Sequence, residues 1–342
     1  MRGRAHRDGT RCPEQRCPNG HCPNGHCPNG TALALPNACS CGSRSRAATS
    51  DGHVRSSREC SRECSREWQL FIIDEVIPSF PKPVALICVA EKGNLSIELS
   101  IELSEAGHSS APPREGAISI LSEALSKLQR NPFPTHSESL ALMFGALRGG
   151  FRWPLQLIVS NLWLFTPLLT RVLASKPKTA TLVRTTTALT IVNAGTRHNV
   201  MPTTATATAN FRIHPMESVE STLAYVRRVI ADDRITITTL LSTQPAPVSS
   251  STHPAFSDLA TCVHEVFPHV AVAPGLFVAA SDSKHFWKLT PQIFRFNPVT
   301  LHNSETSMFH GFNERITVRN HAQCVAFFRA FHLKQSARSV PA

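Results

Sequence analysis

Five side chains in this 342-residue sequence have the types that metal and hydrolytic chemistry uses. His310 stands in "SMFHGFNERI", residues 307–316, beside Gly311 and close to Asn313 and Glu314. Its imidazole is a metal ligand, a catalytic base or a polar group on a loop, and the local sequence leaves all three open. Asp74 stands in "FIIDE", residues 71–75. A carboxylate in so apolar a run needs a partner, either a metal or a buried cation. His108, in "GHSS", lies between a strand pattern and a helix pattern, where it can also serve as a local cap. Asn199 precedes Val-Met-Pro, a turn context. Arg212, in "NFRIHP", has Asp232 and Asp233 as candidate ion-pair partners.

The elements that must hold these residues begin at Trp68. "WQLFIIDEVIP" and "KPVALICVAEKG" are short apolar, β-branched runs bounded by Pro and Gly, the pattern of buried strands. Residues 94–103 alternate apolar and polar, as a half-buried strand does. "REGAISILSEALSKLQR", 114–130, puts Ile118, Leu121, Leu125 and Leu128 on one helical stripe after Pro112 and Pro113. Two β-rich segments, 185–195 and 204–215, are joined by "TRHNVMP". A second helix over 218–232 aligns Val219, Leu223, Val226 and Ile230, and "RITITTLL" forms a further strand. The order β-α-β-β-α-β over residues 92–243 is the ferredoxin-like pattern. Past the Pro/Ser linker "STQPAPVSSSTHP", a helix (254–267), a strand (271–280), a short helix near 282–289, a strand (291–299) and a helix (320–335) read as α/β layering. The strands in 68–91 are expected to join the sheet of 244–342, so that the 92–243 unit is inserted into an α/β domain.

Residues 131–184 form an insertion within that unit. "WPLQLIVSNLWLFTPLLTRVL" approaches the roughly 20 apolar residues needed to span a bilayer. Pro154, Asn161 and Pro167 interrupt it and both flanks are basic, which favours an apolar helix pair, buried or lying on a surface, with contact to lipid as its functional version.

Residues 1–67 are different in texture. "RCPNGHCPNGHCPNG" and "SRECSRECSRE" are short repeats with little apolar area to offset the entropy of ordering, so this segment is expected to be disordered. His21 and His26 lie among its eight cysteines, but the tandem array lacks the paired spacing of a zinc module. Cys88, Cys262 and Cys324 sit in apolar contexts that suggest small packed side chains. The net charge of +11 comes entirely from residues 1–67 and from 141–184, where six basic residues meet no acid. No basic face interleaved with aromatics emerges elsewhere, so nucleic acid is not expected as a partner. "MRGRAHRDGTRCPEQ" carries charge with no apolar segment behind it and does not read as a secretory signal.

Taken in order, "FIIDE", "VAEKG", "GHSSAPP", "SNLWLF", "RTTTALTIVNAG", "NVMP", "NFRIHP", "SDSKHF" and "HGFNE" resemble the dinuclear-zinc metallopeptidase/amidohydrolase family of aminoacylase-1 and carboxypeptidase S. The branch they most resemble is that of the N-fatty-acyl-amino-acid synthase/hydrolases. The resemblance runs from about residue 68 to 335. It implies part of a zinc-peptidase-like α/β catalytic domain carrying a ferredoxin-like lid and dimerisation domain. It also implies a homodimer formed through that lid, an N-acyl amino acid or dipeptide substrate, two Zn2+ ions and a secreted or luminal location.

By the same resemblance, His310 corresponds to a zinc ligand and Asp74 to a carboxylate ligand of the other zinc. His108 corresponds to a lid histidine that reaches into the partner subunit's site and stabilises the tetrahedral oxyanion. Asn199 and Arg212 correspond to lid residues that orient the substrate, Arg gripping a carboxylate at two points. "SDSK", 281–284, corresponds to a loop near the substrate carboxylate, with Lys284 where the branch prefers Arg. The family also uses a His-x-Asp, a bridging Asp and a Glu-Glu pair ahead of the "FIIDE" position. This sequence has no Glu-Glu, and "HRD" at 6–8 lacks a surrounding strand. One ligand per metal falls short of the three protein ligands a catalytic zinc takes, so the chain as written is expected to be inactive.

Overall fold

The computed structural model describes residues 72–74, 77, 80–105, 107–302, 305 and 314–339. The expected disorder of 1–67 and the placement of His310 fall outside these residues. The strands are β1 (Ile72–Asp74), β2 (Val84–Glu91), β3 (Gly93–Glu102), β4 (Gly107–His108), β5 (Thr186–Ala194), β6 (Val200–Met201), β7 (Thr204–Ile213), β8 (Thr236–Thr243), β9 (Ala271–Phe277) and β10 (Thr300–His302). The helices are α1 (Ala117–Arg130), α2 (Glu138–Leu147), α3 (Leu155–Ser160), α4 (Leu162–Ala174), α5 (Pro177–Val183), α6 (Val219–Ile230), α7 (Pro254–Val266) and α8 (Val318–Ser339).

The apolar run of β2 lies inside a four-stranded sheet of order β10-β1-β2-β9. Seven of its eight residues are buried, as a strand covered on both faces requires. On one face, Ile72 and Ala85 pack with Cys262 and Val263 of α7 and Phe327 of α8. On the other, Val84 and Ala273 pack with Leu140, Phe144 and Leu147 of α2, with Phe151, and with Val183 of α5. The early and late parts of the chain thus share one sheet, β2 pairing with β9 in parallel and β1 with β10 in parallel.

Residues 291–299, read as a strand from their apolar character, instead run as irregular chain. Only Arg295 bridges to Cys88, and the strand pairing with β1 is β10, further on. Pro291 and Pro298 at the two ends of this stretch have no N–H to give a ladder.

The alternating residues Leu95, Ile97, Leu99 and Ile101 of β3 all point into a second core. This sheet has the order β5-β7-β3-β8 and is antiparallel throughout. In sequence order its strands stand second, third, first and fourth, the ferredoxin-like arrangement. Helices α1 and α6 cover one face through Ile120, Leu121, Leu128, Val226 and Ile230. Ile118, placed on the buried stripe by sequence, faces solvent, and Ile120 takes its place. Ala117, Ile120, Leu121, Ala124 and Leu128 keep the 3.6-residue period, whereas 118 is one residue out of phase.

The two sheets meet where β2 ends at Glu91 and β3 begins at Gly93. The returning chain passes beside that point, with the Ala246 N–H donating to the Glu91 carbonyl at 3.0 Å. A Cβ on Gly93 would lie 2.7 Å from the Pro245 nitrogen, so no larger residue fits without moving backbone.

The insertion folds as α2 to α5. No helix among the described residues is long and apolar enough to cross a membrane. Cys88 and Cys262 are buried and Cys324 is partly so. Burial pushes the Cys88 thiol up to about 12, which leaves it a packing group.

Phe211 is fully buried and meets Phe133 edge-on at 5.8 Å between centroids. Phe211→Ala is expected to lower stability by about 3–5 kcal/mol in urea unfolding.

Candidate functional site

The short ladder between β4 and β6 brings two of the sequence-flagged residues together. Gly107 pairs with Met201 and His108 with Val200, so that Asn199 arrives beside the imidazole. The His108 Nδ1 accepts from the Ser110 N–H at 3.3 Å and lies 2.9 Å from the Ser110 Oγ. An accepting Nδ1 leaves the ring proton on Nε2. The Asn199 side-chain amide lies 3.4 Å from that Nε2, and turning its oxygen inward makes it the acceptor. The alternative local role of His108 is therefore a turn with Ser110, not a helix cap. His108 is exposed, so the Nε2–H that Asn199 accepts stands open to an incoming oxyanion.

Arg212 lies on a different sheet, that of β5, β7, β3 and β8. It pairs across β7 with Asn94 of β3 and Thr186 of β5, at the end where the chain enters from β2. Beside it, the Asn210 amide donates to the Asn94 Oδ1 and the Ser96 Oγ, each at 2.9 Å. Asp232, a candidate partner by sequence, is held by Arg234 at 2.7 Å. The His108–Asn199 pair projects beyond the opposite end, past Thr204. Eight residues separate Thr204 from Arg212 along the strand, roughly 27 Å at a strand's rise per residue. The structure does not bring Arg212 and His108 to one place within a single chain.

Asp74 ends β1, where its Cα registers with that of His302 in β10. The His302 N–H donates to the Glu305 Oε2 at 3.0 Å. His310 lies outside the described residues. Among the described residues no three His, Cys, Asp or Glu side chains converge to hold a metal ion. The donors present there do not by themselves make up a two-zinc centre.

The most heavily bonded charges were not singled out by sequence. Glu91 and Arg295 are both about 5% exposed and meet at 2.6 Å. The same carboxylate accepts from the Ser281 N–H at 2.6 Å, the Ser281 Oγ at 2.7 Å and the Ser283 Oγ at 2.8 Å. Arg295 also donates to the Ser283 Oγ from Nε and Nη2, at 3.0 and 2.7 Å. The "SDSK" loop is thereby tied to the end of β2, and it leaves Lys284 exposed. The available signal was one acid and one base, each stranded in an apolar run, in "VAEKG" and "FRFNP".

Lys92 points the other way. Its Nζ donates to the Thr181 and Arg184 carbonyls at 3.0 and 2.7 Å, closing the end of α5. Burial pulls its pKa down to about 7, opposed by the Glu217 carboxylate. Nearby, His136 contacts Glu217 at 2.9 Å and stacks on His214 at 4.8 Å, while the Thr185 hydroxyl donates to Glu217 at 2.6 Å. His214 is fully buried and pushed down to about 3 by desolvation, so it stays neutral.

Residues 89–235 match the family description "Peptidase dimerisation domain". These residues are a peptidase dimerisation domain. The chain is 43% identical over 272 residues to "Probable carboxypeptidase S-like 2" of Dictyostelium discoideum, covering 77% of this chain and 52% of that one. It is 41% identical over 273 residues to "N-fatty-acyl-amino acid synthase/hydrolase PM20D1" of Mus musculus, covering 76% and 53%. Among solved structures, an M20 family metallo-carboxypeptidase, Sso-CP2 from Sulfolobus solfataricus, shares the fold at a TM-score of 0.50 and 16% identity, over 72% of this chain and 59% of that one. The chain spans about half the length of the curated relatives it matches. The mixed α/β fold and the resemblance read from the motifs are borne out. The dimerisation domain carries His108, Asn199 and Arg212.

Lys92 binds a proton less readily folded than unfolded, so between pH 7 and its ordinary value of 10.5 the unfolded chain holds more protons. Its contribution to stability therefore rises with pH across that window. Urea midpoints measured from pH 7 to 10 are expected to climb, and Lys92→Met to flatten that part of the profile. Glu91→Ala strands the Arg295 guanidinium in the interior and is expected to cost about 3–5 kcal/mol in the same measurement.

Proposed function

We propose that this chain supplies the lid and the carboxyl-terminal part of the catalytic domain of a zinc-dependent amide hydrolase acting on N-acyl amino acids or dipeptides. Residues 92–243 are the lid, and 68–91 and 244–342 belong to the catalytic domain. The single observation that carries the reading is the placement of the lid residues. An exposed Nε2–H of His108 beside Asn199 suits the oxyanion of a tetrahedral intermediate. Arg212, at the far end of the sheet, suits the substrate carboxylate.

A separation of roughly 27 Å along a strand is too great for one small substrate to span. Both groups can serve one reaction only if two chains face each other, each lending His108 and Asn199 to the other's Arg212. Asp74 and His310 are the zinc ligands in this reading. With one ligand for each ion and no Glu-Glu base, the chain by itself does not turn over substrate. Zinc, in a complete site, supplies a water activated for attack on the amide carbonyl.

The test is a chimera in which residues 68–342 replace the homologous part of the mouse relative. It is expected to hydrolyse an N-acyl amino acid. His108→Ala should lower kcat by about 10²–10³-fold, and Arg212→Ala should mainly raise KM. Mixed dimers of these two variants should recover activity, because one of their two sites is whole. Failure of the mixture to recover would rule out the shared-site arrangement.

A second reading is a non-catalytic dimerisation module. It is favoured by the free edge at β5, where Val192 is 60% exposed and Ile191 lies beside it. Light scattering is expected to give a dimer, and Val192→Lys a monomer. A wild-type monomer would dispose of both readings of the lid.

A further inference from the structure

Helix α4 presents its apolar residues to solvent. Its exposed positions are Trp163, Leu164, Pro167, Leu168, Arg171 and Val172, spaced i, i+1, i+4, i+5, i+8 and i+9. That is one continuous stripe along the outer side of the helix. The inner side meets the core of the insertion through Leu162, Leu169 and Leu173. Trp163 is 80% exposed and Leu168 62%. Trp153, also 80% exposed, precedes α3, which adds Leu157. Lone exposed apolar residues are ordinary, but a stripe with an indole and several aliphatic side chains, and a second exposed indole just upstream, is not.

The charge around the stripe has one sign. Arg148, Arg152, Arg171, Lys176 and Lys178 are all exposed, and no acidic residue occurs between Glu138 and Glu217. None of the five makes an ion pair among the described residues. A hollow of about 720 Å3 opens beside the stripe, walled by Pro167, Leu168, Arg171 and Ala174, which sets a guanidinium against an apolar recess. Tryptophan belongs where an apolar medium meets water, because its ring is apolar and its N–H still needs a partner. Arginine and lysine beside it answer phosphate and carboxylate headgroups. At 13 residues, with Pro167 inside, α4 is too short to cross a bilayer.

We propose that the outer face of α3 and α4 docks on a membrane surface carrying anionic phospholipid. Trp153, Trp163, Leu164 and Leu168 enter the boundary between headgroups and acyl chains. Arg152, Arg171, Lys176 and Lys178 remain among the headgroups. The surface is independent of the hydrolase reading, since none of its residues belongs to the lid pair or to the Arg212 end.

The test is flotation of the full chain with vesicles of phosphatidylcholine alone and of phosphatidylcholine mixed with phosphatidylserine. Binding is expected to the mixed vesicles, and raising the salt should weaken it without abolishing it. Trp163→Ala combined with Leu168→Ala should lower the vesicle affinity by about tenfold or more. The basic residues of 1–67 remain in that variant, so a tail-only attraction would leave its binding unchanged and overturn the proposal. As a check that needs no variant, lipids carrying a quencher in the upper acyl chain should quench the wild-type tryptophan fluorescence. No flotation, no quenching, or a stripe consumed in a dimer that the double variant dissolves would each overturn it.

Discussion

The Glu91 carboxylate is the point on which both sheets depend. It ends β2, and four donors saturate it: Arg295, the Ser281 amide and two serine hydroxyls. An ion pair taken this far from water is sustained only when every lone pair and proton is met, because desolvating the two charges costs several kcal/mol each. Its geometry meets that condition, and the result is specificity of placement more than stability. Residues 190 or more positions away in sequence are fixed against the end of β2. Lys92, the next residue, turns to the opposite side and closes the last carbonyls of α5. Alternation along one extended strand thus sends adjacent charges into two different parts of the molecule.

That arrangement gives the dimerisation domain a defined stance. Its helical face is filled by the apolar sides of β3 and β7 and by α1 and α6. Its other face is a carpet of Asn, Ser, Thr and Glu, with Arg212 at one end. Where these residues stand is set by which end of the sheet each loop leaves from. His108 and Asn199 follow from the crossing between β3 and α1 and the hairpin between β5 and β7. Arg212 follows from β7 running back toward the first sheet.

Much of this organisation was legible in the residues. Alternation in 94–103 and the 3.6-residue period of the two lid helices gave the ferredoxin-like order, because each of those elements has one wet and one dry side. The phase error at Ile118 arose because several apolar residues crowd that helix, and only packing selects among them. Residues 291–299 misled for a related reason. Ile293, Phe294 and Phe296 are half-buried and Val299 is buried, while the stretch supplies the Arg295 side chain where a ladder was expected. For Glu91, Arg295 and Lys92 the residues showed only that a charge stranded in an apolar run needs a partner, since nothing local records which distant residue will meet it. The proximity of His108 and Asn199 was not read from the sequence, and the β4–β6 ladder supplies its physical cause.

Gly93 and Pro245 stand against each other because the chain leaves the first sheet and returns to it through the same gap. A segment of about 150 residues therefore begins and ends at almost one point. Its host needs no change of span to receive it, and a tight turn could rejoin the two flanks if it were excised. Only part of that segment is portable: the sheet of β5, β7, β3 and β8 with α1 and α6 carries its own interior, whereas α2 to α5 cover the host sheet through Leu140, Phe144 and Leu147 and would leave it bare.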